Sequence, residues 1–251
     1  MLFLKKPNTE YTVGIYDNCP WIIEAIDEVF DDVLCQLDLE NSYIYGGSVR
    51  DLLAGVPLIG DLDILVENTI FEYTVDIFRF SPRWSLKYIS DGSKYERVKP
   101  PNSKTTSSGN IKKIATFINK SKSEIQLISP TGHDREFTDT IPCSRSLWNI
   151  ARYVDIRCSG ILTTLVGDVY ETVPGAIDDC RKRVLNINQG VTKETVGIKR
   201  LHERIDKLTK RGWTNNINLE DYPLPVEQHC NITSTKTNTY EFLKDIPLWQ
   251  K

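Results

Sequence analysis

Two aspartates two residues apart follow a glycine-rich turn in the first third of the chain. The stretch reads Tyr-Ile-Tyr-Gly-Gly-Ser-Val-Arg-Asp over 43–51 and Gly-Asp-Leu-Asp-Ile-Leu-Val over 60–66. Because residues i and i+2 of a β-strand point to the same side, Asp61 and Asp63 should project together. Two adjacent carboxylates repel each other, which raises a pKa or requires a cation. Oxygen-only donors favour Mg²⁺ or Mn²⁺, whose other ligands are water and substrate phosphate oxygens.

The turn before the aspartates has the features of a phosphate-binding corner. Gly46 and Gly47 permit close approach of the backbone, and a helix is predicted over 48–54 with Ser48 at its cap position. The first N–H groups of such a helix can bind phosphate oxygens. A phosphate corner followed by an aspartate pair predicts a nucleoside triphosphate–Mg²⁺ site. Taken singly, a diglycine is more often an ordinary tight turn, and an Asp-x-Asp pair is often a solvated strand edge.

The apolar pattern predicts an α/β (α+β) fold with a small mixed sheet and helices on one face. The predicted helices are 21–37, 48–54, 71–80 and 192–211, and the predicted strands are 43–45, 62–66, 111–118, 124–128, 153–158, 161–165 and 168–171. Gly197 weakens the first turn of the last helix, which is therefore expected to begin a few residues later. Residues 81–110 are predicted to be loops. We expect one domain over 1–190, including helix 21–37, and a neck-like helix with an irregular tail over 191–251.

Composition excludes several classes of protein. The 251 residues include 31 basic and 34 acidic side chains, so the formal net charge of −3 does not predict a nucleic-acid binder, and such a surface must be local. The sequence predicts neither a signal peptide nor a membrane span. Six scattered cysteines and three histidines do not form a zinc pattern, and reduced thiols in the cytoplasm are expected. The histidines form no recognisable triad, and a Gly-x-Ser-x-Gly hydrolase motif is absent.

The phrases GGSVRDLLAG and DLDILV, in this order, resemble the signature of class II tRNA nucleotidyltransferases (CCA-adding enzymes) and bacterial poly(A) polymerases. These enzymes belong to the DNA polymerase β nucleotidyltransferase superfamily. The resemblance covers roughly 43–212, which corresponds to a catalytic head and the start of a neck. It implies that Asp61 and Asp63 are catalytic residues that bind two metal ions. The residues implied to bind the nucleotide are Gly46, Gly47, Ser48, Arg50 and Arg157. Arg50 either neutralises the phosphates, which is the preferred interpretation, or pairs with Asp51.

Later segments match the family less closely. Glu124 lies where the family has its third catalytic carboxylate, although it could also be a surface strand residue. The segment 152–158 corresponds to the strand beside the nucleotide sugar, but Arg157 lies where the family has asparagine. The segment 192–208 lacks the spacing of the nucleotide-selecting Glu-Asp-x-x-Arg phrase. The choice of base therefore stays open. The family's long helical body and tail also have no counterpart here, so the acceptor stays open as well.

Two segments carry most of the local positive charge. Residues 94–122 contain eight basic side chains, and residues 192–212 contain seven. Such runs are commonly solvated faces, but beside a nucleotidyltransferase site they could bind an RNA backbone. The candidate RNA contacts are Lys112, Lys113, Arg200, Arg204 and Lys207. Trp148 and Trp213 could stack on a base or pack in the core.

Three functional hypotheses follow. The leading one is template-independent, metal-dependent transfer of a nucleoside monophosphate from an NTP to an RNA 3′ end, most simply that of tRNA. The second keeps this chemistry but changes the acceptor, as in compact toxins that block tRNA ends or in enzymes that modify proteins or small molecules. The third is a catalytically silent module that binds RNA or a protein partner. The oligomeric state stays open in all three.

Overall fold

The computed structural model describes residues 17–30, 33–58, 60–91, 111–131, 142–190 and 197–223. Within these ranges the chain is a mixed α/β structure built on a large sheet. The strands are β1 Asp17–Asn18, β2 Ser42–Tyr45, β3 Leu62–Val66, β4 Trp84–Asp91, β5 Ile111–Asn119, β6 Glu124–Pro130, β7 Ile161–Thr164, β8 Asp168–Glu171, β9 Val184–Leu185 and β10 Thr214–Asn215. The α-helices are α1 Pro20–Val29, α2 Gly47–Leu53, α3 Phe71–Phe80, α4 Arg145–Arg152, α5 Ala176–Lys182 and α6 Ile198–Thr209.

The eight-stranded sheet has the order β1-β8-β7-β2-β3-β6-β5-β4. Only β3 and β6 run parallel within it, and every other neighbouring pair is antiparallel. In the parallel pair, Leu62 lies opposite Ile125 and Asp63 lies opposite Gln126. This register places the start of β3, where the aspartates lie, beside the start of β6. The short strands β9 and β10 form a separate parallel pair.

Both faces of the sheet are covered. Side chains such as Ile44 and Ile64 face the main core, to which α1, α2, α3, α5 and α6 contribute. Their neighbours Tyr43 and Leu65 face a second core formed with α4. The predicted α/β class is confirmed, but the expectation of helices on one face is corrected by α4, which the sequence pattern did not predict. Ser144 begins this helix by accepting a hydrogen bond from the Leu147 N–H through its hydroxyl.

Two predicted elements differ in the structure. The helix predicted over 21–37 ends at Val29, and a 3₁₀ turn follows at Val33–Gln36, where the Leu34 N–H donates to the Asp27 carboxylate. Both pieces bury apolar side chains in the main core, so the periodic pattern is satisfied without one continuous helix. The strand predicted over 153–158 is wrong. There the backbone makes one isolated bridge and then a 3₁₀ turn at Arg157–Ser159.

The structure also bears on the predicted loops, the last helix, membrane spans and the cysteines. Strand β4 lies inside the segment predicted to be loops, whereas α6 begins after Gly197 as predicted. The predicted tail beyond 223, the segment 1–16, and His133, His229 and Cys230 lie outside the described residues. None of the helices described is long and apolar enough to cross a membrane. Buried reduced thiols are found at Cys19, Cys143, Cys158 and Cys180. Burial raises the pKa of Cys158 to about 12.

Candidate active site

A cavity of about 300 Å³ lies between the start of β3, the turn after β2 and helix α6. Its charged lining contains nearly equal numbers of acids and bases. The acids are Asp51, Asp61, Asp63 and Asp155, and the bases are Arg50, Arg200, Arg204, Lys207 and Arg211. A cavity in which carboxylates and cations share the lining is suited to a ligand that carries both phosphates and metal ions.

The aspartate pair lines this cavity. Asp63 belongs to β3, and Asp61 precedes the strand by one residue. Both line the cavity, whereas Leu62 and Ile64 between and beside them are fully buried in the main core. The period-two alternation of a strand therefore separates the two carboxylates from the core, as the sequence predicted.

The glycine corner lines the same cavity. Gly46 has φ +73° and ψ −123°, a backbone conformation that residues with a Cβ rarely adopt. Its N–H donates to the carbonyl of Ile161 at 3.1 Å, which fixes the corner to β7. Ser48 does not cap α2 as predicted. Its hydroxyl donates to the backbone carbonyl of Asp61 at 3.2 Å, and this contact ties the corner to the aspartate segment.

Arg50 lines the cavity but is paired with Asp51. Its Nε and a terminal nitrogen lie 2.9 Å and 2.7 Å from an Asp51 carboxylate oxygen, and Arg211 approaches the other oxygen at 2.9 Å. The Arg50 guanidinium also lies 5.6 Å from the ring centroid of Trp213. Of the two interpretations of Arg50, the structure therefore shows the pairing with Asp51. Trp213 and Trp148 are both buried in cores.

Helix α6 supplies the basic wall of the cavity. Arg200, Arg204 and Lys207 are spaced by four and three residues, so they share one side of the helix. Arg204 donates to the buried Asp155 carboxylate at 2.5 Å. Burial lowers the pKa of Arg204, but the Asp155 carboxylate raises it by more, and Asp63 adds a smaller increase. These three candidate RNA contacts therefore lie at the aspartate cavity itself.

Four other sequence-predicted site residues lie outside the cavity lining. Arg157 forms a two-bond ion pair with the buried Asp179, with distances of 2.7 Å and 2.6 Å. Lys112 donates to Asn68 at 3.3 Å, and Lys113 pairs with Glu72. The fourth is Glu124, whose carboxylate accepts from Lys87 Nζ on β4 at 2.5 Å and raises the pKa of that lysine.

The sequence pattern missed several polar residues of the cavity, among them Asp155, Arg211 and Gln126. Gln126 lines it, and its Nε2 donates to Asp61 Oδ2 at 2.9 Å. Its place two residues after Glu124 puts both side chains on the same side of β6. That spacing was the available signal, but it could not show which of the two side chains reaches the aspartates.

The donor set fits a divalent cation of the Mg²⁺ type. Asp61 and Asp63 offer carboxylate oxygens in one cavity, and Mg²⁺ commonly binds to one or two carboxylates together with water and substrate phosphates. A cluster of three or more His, Cys, Asp or Glu side chains able to hold a metal does not occur among the described residues. The remaining ligands would therefore have to come from a bound substrate and water.

Solved structures share this architecture. A Thermotoga maritima CCA-adding enzyme complexed with tRNA superposes with a TM-score of 0.52 at 16% sequence identity, over 82% of this chain and 44% of the enzyme. A CCA-adding enzyme complexed with CTP gives a TM-score of 0.53 at 16% identity, over 81% of this chain and 44% of that one. This chain therefore spans less than half of their length. No family model matches the sequence, and no curated protein does. At this identity the similarity shows the fold, which is nucleotidyltransferase-like and resembles the head domain of CCA-adding enzymes.

Proposed function

We propose that this chain is a template-independent, metal-dependent nucleotidyltransferase that moves a nucleoside monophosphate from an NTP to an RNA 3′ end. One observation carries the proposal: Asp61, Asp63, the glycine corner and a row of cations on α6 all line a single cavity. The negative charge of a triphosphate is neutralised by cations, and a divalent metal ion is bound by carboxylates. The cavity supplies both within one small volume.

Different residues of the cavity would bind different groups of the substrate. Asp61 and Asp63 would hold one or two Mg²⁺ ions, which when bound withdraw charge from the phosphates and lower the pKa of an attacking hydroxyl. The corner at Gly46 and Gly47 lets the backbone approach the β- and γ-phosphates closely. Arg200 and Lys207 add positive charge from α6, where it offsets the charge of the departing pyrophosphate.

The reaction consists of one displacement at the α-phosphorus. The acceptor 3′-oxygen forms a bond to this phosphorus, the bond from the phosphorus to the α,β-bridging oxygen breaks, pyrophosphate leaves with that oxygen, and the hydroxyl proton passes to water. The protein contributes mainly positioning and electrostatic stabilisation, as in other phosphoryl transfers. The hydrogen bond from Ser48 to the Asp61 carbonyl joins the corner to the aspartate segment, and the bond from Gly46 to Ile161 joins the corner to β7.

An RNA acceptor is favoured by the fold and by the charge of the α6 wall. The structural neighbours include CCA-adding enzymes complexed with tRNA, with CTP and, at a TM-score of 0.50, with ATP. All three basic residues of the α6 row line the cavity, where their charge can attract both the triphosphate and the phosphates of an incoming RNA end.

The test is a transfer assay with the full chain. The protein is incubated with Mg²⁺, total RNA and each of the four α-labelled NTPs in turn, and the products are separated on a denaturing gel. We expect label on tRNA-sized RNA that is abolished by Asp61→Ala. The control is Asp178→Ala, which removes an exposed aspartate on α5 outside the cavity and should leave labelling unchanged.

Two outcomes would count against the proposal. Absence of label with every NTP, with wild type and Asp61→Ala alike, would overturn the enzymatic assignment and favour a silent binding module. Label on protein in place of RNA would keep the chemistry and overturn the RNA acceptor.

A further inference from the structure

The Asp61 carboxylate is exposed at the cavity, and within the described part of the chain it has one hydrogen-bond donor. Among the described residues, Gln126 Nε2 is the only group that donates to it, at 2.9 Å. Gln126 reaches Asp61 because β3 and β6 are parallel and Asp63 lies opposite Gln126 in the register. Gln126 therefore reaches past its register partner Asp63 to Asp61, the residue just before β3.

An amide at this position suits a pair of aspartates. Asp61 and Asp63 already repel each other, and a third carboxylate in contact with them would increase that repulsion. An amide N–H donates a hydrogen bond to the Asp61 carboxylate and adds no charge. It also restricts rotation of an exposed side chain that would otherwise lose conformational entropy when it binds a ligand.

The acid on the same side of β6 is held by a different partner. Glu124 accepts from Lys87 Nζ at 2.5 Å, and Lys87 belongs to β4, on the far side of β5 from β6. Gln126 lines the cavity and Glu124 does not. Strand β6 thus presents a neutral donor to Asp61, while its own carboxylate is neutralised by a lysine.

We infer that Gln126 is a positioning residue that orients the Asp61 carboxylate for the divalent cation, and that Glu124, held by Lys87, is not required to bind that cation. The inference rests on the proposed function, since it concerns the same metal–nucleotide site. It assigns to the amide the place on β6 that the family resemblance gave to a third carboxylate.

The test measures Mn²⁺ affinity directly, by electron paramagnetic resonance of the full chain with a non-transferable α,β-methylene NTP. Partners that orient metal ligands typically contribute 10- to 100-fold to metal affinity. We expect Gln126→Leu, which keeps the volume but removes the donor, to weaken Mn²⁺ binding about tenfold. Glu124→Gln should change it by less than twofold. Thermal unfolding checks that each variant is folded.

A double-mutant cycle separates positioning from a general structural effect. In an Asp61→Asn background, Gln126→Leu should cause no further loss of Mn²⁺ affinity, because the two residues act through one interaction. An equal loss in both backgrounds, or wild-type affinity in Gln126→Leu, would overturn the role of Gln126. A loss of tenfold or more in Glu124→Gln would overturn the second part.

The same experiment distinguishes this inference from the function on which it rests. If wild type binds no Mn²⁺ with the analogue, the proposed nucleotidyltransferase site fails. If wild type binds Mn²⁺ and Asp61→Asn binds it measurably more weakly, while Gln126→Leu equals wild type, only the role of Gln126 fails.

Discussion

The basic residues of β5 and those of α6 look alike in the sequence and differ in the structure. Lys112 and Lys113 on β5 contact Asn68 and Glu72, near the start of α3. Residues of α6 line the cavity that contains Asp61 and Asp63. The segments that contain them, 94–122 and 192–212, have eight and seven basic side chains, so the number of basic residues does not distinguish the two.

The difference shows that segments of similar charge density can place their basic side chains in different surroundings. Exposed ion pairs such as Lys113–Glu72 contribute about 0–1 kcal/mol to the free energy of unfolding. In such a pair the lysine is bound to a carboxylate of the protein surface. A helix, in contrast, aligns residues at i, i+4 and i+7 along one side, and α6 turns that side to the cavity. Three variants test whether this distinction is functional.

The largest effect is expected from the cavity side of α6. Replacing Arg200 and Lys207 together by alanine should lower kcat/KM for the NTP about 100-fold, since each charge-assisted hydrogen bond to phosphate contributes about 1.5 kcal/mol. The matched control replaces Lys199 and Lys210, exposed residues of α6 and its C-terminal end that do not line the cavity. Equal losses in the two double variants would show that only the overall charge of the helix matters.

An intermediate effect, on stability alone, is expected for Arg157→Ala. This change leaves the buried Asp179 without its two-bond partner, which should lower the free energy of unfolding by about 2 kcal/mol in urea denaturation. The KM for the NTP should stay within twofold of wild type, because Arg157 lies outside the cavity lining. A tenfold rise in KM in a stable protein would restore the nucleotide-binding role that the family resemblance implied.

The smallest effect is expected on β5. Lys112→Ala combined with Lys113→Ala should change the KM for the NTP by less than twofold, since these side chains lie outside the cavity lining. Their partners are surface groups, so the free energy of unfolding should change by less than about 1 kcal/mol. If steady-state kinetics gave a KM raised tenfold, the contrast between the two basic segments would be wrong.

The segment from β2 to β3 was predictable because its determinants are local. The Gly46 turn, the short helix and the alternation around Asp61 and Asp63 depend on residues close in sequence, and the structure shows all three. Strand β4 was missed although its sequence contains apolar residues, because the surrounding segment is dominated by loop-forming residues.

The remaining parts depend on long-range contacts. Arg157 is separated from Asp179 by 22 residues, and Gln126 from Asp61 by 65. The strand predicted over 153–158 fails because Ile156 bridges to Ile187 and the chain then turns. Periodicity specifies which side of an element is polar, but it does not specify which polar partner the fold brings to that side.

The most direct measurement is anomalous diffraction from crystals of the full chain grown with Mn²⁺ and an α,β-methylene NTP. We expect a manganese peak bound by Asp61 and Asp63, with the triphosphate extending from it toward Gly46 and the basic side of α6. A manganese peak away from both aspartates, or a triphosphate bound outside this cavity, would contradict the assignment of the site.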